Sequence, residues 1–221
     1  MMSIHPYRPD AVARTEAWIE AGAAGMKWLP NSQNIDPRND RCRPIFSLLA
    51  RYNLPLIVHT GGEHTVTVLR EELGNPEIMR PALEMGVTVI LAHCATASGI
   101  FDRHWLDEFK TLVREFPNCY GDTSAICSPG RLRWVSSLLE DQSVVDKLIH
   151  GSDYPIPPIV WPAWRKLGFA QCLKLSRETS FLSRDILAKR ALGFPDTGLT
   201  RFSSLVPTVL INRWLGPSPH L

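Results

Sequence analysis

The sequence predicts an α/β protein built on a parallel sheet, in the form of a partial (β/α)₈ TIM barrel. Short apolar runs alternate with amphipathic helical stretches along most of the 221 residues. Most of these runs are continuously apolar, as expected of strands that are buried on both faces. Polar side chains follow the runs at nearly regular intervals, which favours a barrel over an open doubly wound sheet.

The predicted strands are the short apolar runs themselves. Ser3–His5, before Pro6, is predicted to be the remainder of one further strand, so the chain holds about six β-α units. The other five predicted strands are Ala24–Leu29, Leu54–Val58, Val87–Ala92, Asn118–Gly121 and Lys147–His150.

The predicted helices have recognisable ends. Asp10 can cap a helix that Gly22 would end, and Asn75 followed by Pro76 is a typical helix start. No linker divides these units, so we expect one incomplete barrel domain over residues 1–195 and a C-terminal tail without a clear pattern over residues 196–221. The predicted helices are Ala11–Ala21, Asn75–Met85, His104–Phe116, Arg131–Leu139 and Ser183–Leu192.

Composition excludes several classes of protein. A net charge of +2 without a basic tract argues against nucleic acid as a partner. No apolar run reaches the roughly 18 residues of a membrane span, and the first residues do not resemble a signal peptide. Five cysteines without a CxxC pair indicate reduced thiols. We therefore expect a cytoplasmic protein that acts on a small molecule and could form a homo-oligomer.

Five polar residues lie at or just after the ends of the predicted strands. They are separated by 29 to 34 residues, about the length of one β-α unit, so they occupy equivalent positions on consecutive strands. The carboxyl ends of barrel strands converge on one mouth, where such enzymes carry their chemistry. Histidines and carboxylates together are a typical ligand set for a divalent metal ion, with a base to spare. The five are Lys27, His59, His93, Asp122 and Asp153.

Each of these residues also has a purely structural interpretation. A single histidine after a strand is most often a hydrogen-bonded structural group, and Asp122 before Thr123 is more often a loop cap. The separation of His59 from His93 by one β-α unit, with Asp153 two units further on, favours a shared metal site over separate structural roles. The remaining histidines follow no such register and are assigned structural or supporting roles: His5, His64, His104, His150 and His220.

Four segments resemble the amidohydrolase superfamily, in the branch that also contains metal-dependent decarboxylases. They are GMKWLPNSQNIDP, LPLIVHTG, VTVILAHC and HGSDYP, which are similar to strands four, five, six and eight of that family. The resemblance covers roughly residues 3–195. It implies a barrel with one or two divalent metal ions at the mouth, Zn²⁺ in preference to Mn²⁺.

The resemblance also implies roles for four residues. His59 would be a metal ligand, and His93 would bind a second metal or act as an acid or base. Asp153 would ligate the metal and accept the proton of the attacking water. Lys27 falls on the strand that supplies a carboxylated bridging lysine in two-metal members. The implied reaction is hydrolysis of a C–N or C–O bond in a small molecule by a metal-activated water.

One part of the family pattern is absent. The first strand of the family ends in His-x-His, and no His-x-His occurs in this chain. Residues 3–6 resemble the third strand of the family, so we expect an N-terminally truncated amidohydrolase that lacks the first two strands of the barrel. The alternatives are a non-oxidative decarboxylase of the same fold and an inactive remnant. A nucleophilic mechanism through Cys94 or Ser152 is disfavoured, because Cys94 and its neighbour His93 would point to opposite faces of a strand.

Overall fold

A five-stranded parallel sheet lies at the centre of the computed structural model, which describes residues 1–99 and 101–215. Each strand pairs with the next along the chain, and all the carboxyl ends therefore lie at one edge of the sheet. This confirms the predicted parallel sheet and its five main strands. The strands are Met26–Trp28 (β1), Leu56–Val58 (β2), Val89–Leu91 (β3), Cys119–Asp122 (β4) and Leu148–Ile149 (β5).

The helices pack around this sheet. Within the described residues, no helix is long and apolar enough to cross a membrane. The helices are Ala11–Glu20 (α1), Pro30–Gln33 (α2), Arg43–Arg51 (α3), Arg80–Glu84 (α4), Leu106–Glu115 (α5), Val135–Leu139 (α6), Gln142–Val145 (α7), Trp164–Leu167 (α8), Phe169–Ser176 (α9), Phe181–Leu192 (α10), Thr197–Ser204 (α11) and Thr208–Leu215 (α12).

Several helix ends follow the predicted signals, but Asp10 does not cap α1, because its carboxylate accepts hydrogen bonds from Arg8 and Arg14 instead. Asn75 accepts a hydrogen bond from the Glu77 amide at the start of a 3-10 turn that leads into α4. Gly193 ends α10 in the left-handed region at φ 106°, as a helix-ending glycine does. The start of α10 lies earlier than predicted, because the hydroxyl of Ser180 accepts a hydrogen bond from the amide of Ser183 and caps the helix there.

The core fills the space between the sheet and its helices. Trp28 on β1 packs against Phe46 of α3, with ring centroids 5.7 Å apart. The Trp28 indole donates a hydrogen bond of 2.8 Å to the carbonyl of Ile4, which fixes the first residues against the sheet. The predicted strand over Ser3–His5 is not formed. It is replaced by a single parallel bridge between Met2 and Met26.

Helix α11 covers the outer edge of β5. The carbonyls of Lys147 and Ile149 accept hydrogen bonds from β4 and the residue after it, so the alternate groups of the strand face away from the sheet. The Arg201 guanidinium donates to the Leu148 carbonyl, and the His150 amide donates to the Gly198 carbonyl at 2.9 Å. Helix α11 therefore satisfies an edge that would otherwise be open to another chain.

We expect Arg201→Met to lower the free energy of unfolding by about 1–3 kcal/mol, because the buried Leu148 carbonyl loses its donor. Urea unfolding measures this loss, and size-exclusion chromatography measures any association through the exposed edge. The control is Arg190→Met, which removes a guanidinium from an exposed ion pair with Asp196. Equal losses in the two variants would contradict the edge-covering role.

Candidate active site at the carboxyl edge of the sheet

A cavity of about 570 Å³ opens at the carboxyl ends of the strands. Loops after all five strands contribute to its wall or to the residues beneath it. The four residues that the sequence predicted as the site, Lys27, His59, His93 and Asp153, all line this cavity. The structure therefore brings together residues that are far apart in sequence.

His59 follows β2 directly, and its backbone amide donates to the Trp28 carbonyl at 2.9 Å. The side chain is buried. Its Nδ1 lies 3.5 Å from a carboxylate oxygen of Glu63, whereas its Nε2 is buried without a hydrogen-bond partner in the described part of the chain. Burial lowers the pKa of His59, so the ring is neutral at pH 7. A neutral imidazole with an unused Nε2 is a suitable metal ligand.

His93 begins an unusual turn after β3. His93, Cys94 and Ala95 have φ angles of 60°, 50° and 52°, in the left-handed region that residues with a side chain rarely adopt. The Asp122 carboxylate stabilises the turn by accepting a hydrogen bond of 2.9 Å from the His93 amide. The Cys94 thiol donates to the Asp122 carbonyl at 3.1 Å. This turn directs the chain sharply away from the strand and places the imidazole at the cavity.

The ring of His93 is held in one tautomer. Its Nδ1 lies 3.0 Å from the carbonyl of Ser124, which can only accept, so Nδ1 carries the proton and Nε2 bears the lone pair. The Ser124 hydroxyl also contacts Nδ1 and donates to Asp122. Burial, assisted by the charge of Arg131, holds the pKa of His93 well below its usual range. The site thus contains two neutral imidazoles, whose ring centroids are 5.1 Å apart.

Asp153 lies in the loop after β5 rather than at the strand end. Its φ of 57° places it in the left-handed region, and one carboxylate oxygen lies 4.0 Å from Nδ1 of His93. The side chain is 40% exposed. Burial of the remainder, together with the charge of Asp122, raises the pKa of the carboxyl group above its ordinary value. Asp153 is therefore a stronger base than an ordinary surface aspartate.

Lys27 is the middle residue of β1, earlier than the strand-end position that the spacing suggested. Its ammonium group is near the carboxylates of Asp122, Asp153 and Glu63, all of which favour the charged form. Burial has the larger effect and lowers the pKa of the amine. Lys27 therefore lies close enough to the predicted site residues for their charges to act on its pKa.

Three further residues support the site. Asp122 has the loop-cap geometry that was the structural alternative for it, since it accepts hydrogen bonds from the amides of His93 and Ser124. Glu63 faces His59 and was not predicted, because it lies outside the strand-end register. Arg131, also not predicted, lies in the loop after β4 with its guanidinium buried.

Arg131 joins three loops. Its guanidinium donates to the carbonyl of Thr96, to the hydroxyl of Thr96 at 3.0 Å and to the carbonyl of Gly62 at 3.0 Å. Gly62 follows β2 and Thr96 follows β3, so one side chain ties the loop of His59 to the loop of His93. Burial lowers the pKa of Arg131 to about 10, which leaves it charged at neutral pH.

Of the other described histidines, His64 also lines the cavity, whereas His5, His104 and His150 do not. His5 contacts the carbonyl of Gln33, and His64 contacts Asp102. His104 packs at a tilt against Trp134, and His150 lies near Asp185. His220 lies outside the described residues. Burial holds the pKa of Cys94 well above its usual range, so its thiol is protonated at neutral pH. This environment does not activate Cys94 as a nucleophile.

The donors fit a metal ion in part. Among residues 1–99 and 101–215, no group of three or more His, Cys, Asp or Glu side chains is arranged to hold a metal ion. The unpartnered Nε2 of His59 and the fixed tautomer of His93 nevertheless have the chemistry that a divalent ion requires. The carboxylate of Asp153 lies beside this pair.

Comparisons with known proteins agree with the fold. A family model described as Amidohydrolase matches residues 2–189. A search of curated proteins found no significant match. Among solved structures, an uncharacterized TIM-barrel protein from Bordetella bronchiseptica has a TM-score of 0.60 and 18% identity, covering 92% of this chain and 65% of its own.

Two other solved structures are similar. A provisionally assigned 2-pyrone-4,6-dicarboxylic acid hydrolase from Pseudomonas putida has a TM-score of 0.56 and 16% identity, covering 88% of this chain and 68% of its own. A provisionally assigned metal-dependent hydrolase from Lactobacillus casei has a TM-score of 0.50 and 15% identity, covering 87% and 58%. At these identities the likeness shows the fold alone. The chain spans less than two thirds of the Bordetella and Lactobacillus proteins.

Arg131→Met should lower the free energy of unfolding by about 2–4 kcal/mol, because buried carbonyls in two loops lose a charged donor. Hydrogen exchange should accelerate at the amides of Gly61 and Thr96, which lie next to these contacts. The matched control is Arg133→Met, which removes an exposed guanidinium from the same segment. Wild-type exchange at both amides in Arg131→Met would contradict the joining role.

Acid should destabilise the metal-free protein. Burial lowers the pKa of His59, His93 and His150, the last to about 4, so below pH 6.5 the unfolded chain binds protons that the folded chain does not. The free energy of unfolding should therefore fall between pH 7 and pH 5, by up to about 2 kcal/mol for each imidazole. Urea unfolding at pH 7, 6 and 5 measures the slope.

His150→Gln should reduce this slope relative to the wild-type protein. The same pH dependence in His150→Gln and in the wild-type protein would show that His150 is charged in the folded state.

Proposed function

Because the chain belongs to the amidohydrolase family, we propose that it hydrolyses a C–N or C–O bond in a small molecule with the help of a divalent metal ion. Of the similar solved structures, one is named as a TIM-barrel protein and two are named as hydrolases. The observation that carries the proposal is the buried Nε2 of His59, which lacks a partner among the described residues and lies at a cavity beside a second neutral imidazole.

His59, His93 and Asp153 would hold the ion. The carboxylate of Glu63 near Nδ1 of His59, and the Ser124 carbonyl at Nδ1 of His93, are the kind of partners that orient metal-binding histidines. Zn²⁺ is preferred for this donor set, with Mn²⁺ as the alternative. A bound divalent ion lowers the pKa of its water ligand toward neutrality.

The chain's own groups supply the remaining chemistry. Asp153 accepts a proton from water, since its raised pKa makes its carboxylate more basic than usual. His93 stays neutral, because Nδ1 donates to Ser124 and burial opposes a second proton. Arg131 provides a cationic group at the cavity, and Lys27 provides a second one where it is not carboxylated, which favours a substrate with an anionic group beside the reacting carbonyl.

The number of metal ions discriminates between hydrolysis and decarboxylation. A carboxylated Lys27 holding a second ion favours hydrolysis. One ion with His93 uncoordinated favours the non-oxidative decarboxylase, which stays an alternative prediction for this chain.

The test is the metal content of the purified chain after exposure to Zn²⁺ or Mn²⁺, followed by titration. We expect about one ion or more per chain. His59→Ala and Asp153→Ala should each weaken binding by at least roughly tenfold, equivalent to about 1.4 kcal/mol. The control is His104→Ala, which should bind as the wild type does, because the His104 ring packs against Trp134 and does not line the cavity.

Binding that is unchanged in both His59→Ala and Asp153→Ala would overturn the proposed site. Where binding follows the prediction, hydrolysis of small amides, esters and lactones with and without a carboxylate group tests the reaction. A preference for the carboxylate-bearing compounds would support the role of Lys27 and Arg131.

A further inference from the structure

We propose that Lys189 is a positioning residue that anchors the loop carrying Asp153. This inference rests on the function proposed above. Lys189 lies on α10, outside the cavity wall, and is almost fully buried with Asp185 one turn earlier. Its ammonium group donates to the Gly151 carbonyl at 2.6 Å and to the Asp185 carboxylate at 2.6 Å. The side chain thus links a helix to the loop that leaves β5.

Gly151, the residue whose carbonyl Lys189 holds, lies next to the residues that orient His93. Gly151 lies between the end of β5 and Asp153, and a β-carbon at this residue would be 3.1 Å from the Ser124 side chain and 3.5 Å from the Asp122 carboxyl carbon. Ser124 and Asp122 are the residues that orient His93. The Gly151 backbone is therefore held by Lys189 and packed against these supports. Two residues later, Asp153 comes within 4.0 Å of His93.

The loop beyond this anchor has local contacts of its own. The Ile156 amide donates to the Asp153 carbonyl at 2.9 Å, and the Tyr154 amide contacts the Ser152 hydroxyl at 3.4 Å. Ser152 is half-buried, and Asp153 and Tyr154 are exposed. These short-range bonds shape the loop. The Tyr154 ring also packs edge-on against Phe181 of α10, with ring centroids 5.0 Å apart. The bond from Lys189 ties the backbone of the loop to the same helix, next to the end of β5.

Stability alone does not account for a buried ion pair. Removing two charges from water costs about as much as their attraction returns, and apolar side chains of similar volume are often as stable. An apolar side chain could not donate a hydrogen bond to the Gly151 carbonyl. The directional donor is what the lysine adds, while Asp185 compensates its charge and faces His150 at 3.8 Å. The geometry therefore indicates that Lys189 serves to place the loop that carries Asp153.

The test compares Lys189→Met with Lys147→Met. Lys147 lies at the opposite end of β5 and donates to the Pro117 carbonyl at 2.5 Å, so its replacement removes the same kind of bond far from the site. Lys189→Met should weaken Zn²⁺ binding by roughly tenfold or more, as the loss of a supporting group commonly does. Lys147→Met should leave Zn²⁺ binding unchanged, and Lys189→Arg should restore most of it.

A double-mutant cycle separates positioning from general stability. In an Asp153→Ala background, Lys189→Met should cause little further loss of Zn²⁺ affinity, because Lys189 acts through Asp153. An equal loss in both backgrounds would show a merely structural role and overturn the inference. If Asp153→Ala alone binds Zn²⁺ like the wild type, the proposed ligand role of Asp153 fails, and the next measurement decides the positioning claim.

Hydrogen exchange of the metal-free protein gives a readout that does not depend on the proposed function. Lys189→Met should accelerate exchange at the Ile156 amide, whose acceptor is Asp153, relative to amides in β3. Unchanged exchange at Ile156 would overturn the inference whatever the Zn²⁺ result. If Lys189→Met does not fold, Lys189→Gln keeps a neutral donor, and the same acceleration is expected to a smaller degree.

Discussion

The carboxylate of Asp122 at the end of β4 accepts the hydrogen bonds on which the arrangement of the site depends. One of its oxygens accepts hydrogen bonds from the amides of His93 and Ser124 and from the Ser124 hydroxyl. Three successive residues after β3 adopt left-handed backbone angles, at a cost of roughly 1–2 kcal/mol each. Asp122 offsets part of this cost and fixes the ring of His93 through Ser124. The position of the imidazole is therefore set by the neighbouring strand.

Two buried cations complete the support of the loops by bonding to backbone carbonyls. A chain that turns away at the carboxyl edge of a sheet leaves carbonyls that strand pairing cannot satisfy, and a buried carbonyl without a donor is costly. Arg131 supplies donors to the loops after β2 and β3, and Lys189 supplies one to the loop after β5. The loops that carry His59, His93 and Asp153 are thus held by the interior, although they form a cavity open to solvent.

The sequence predicted the strands and the four cavity residues because both follow a local rule. Apolar runs mark the strands, and one polar residue per β-α unit marks the carboxyl edge. The supporting residues follow no such rule, since Arg131 acts on Gly62 from 69 residues away and Lys189 acts on Gly151 from 38 residues away. Helix α11, with a glycine in its first turn, has weak local signals and is stabilised by the edge of β5. Helix α3 does carry an apolar helical pattern, but it was not among the predicted helices.

The geometry also indicates which donor would control the binding of an ion. Catalytic zinc sites combine three protein ligands with an open position for water or substrate, and His59, His93 and Asp153 supply that number. The two imidazoles are buried and held from the sheet, so they determine where an ion would lie. Asp153 is more exposed and lies on the loop after β5. Its carboxylate is 4.0 Å from Nδ1 of His93, and in the described part of the chain the three side chains do not form a group arranged to hold a metal ion. The affinity of the site for an ion should therefore depend on how firmly this loop is held as well as on the two histidines.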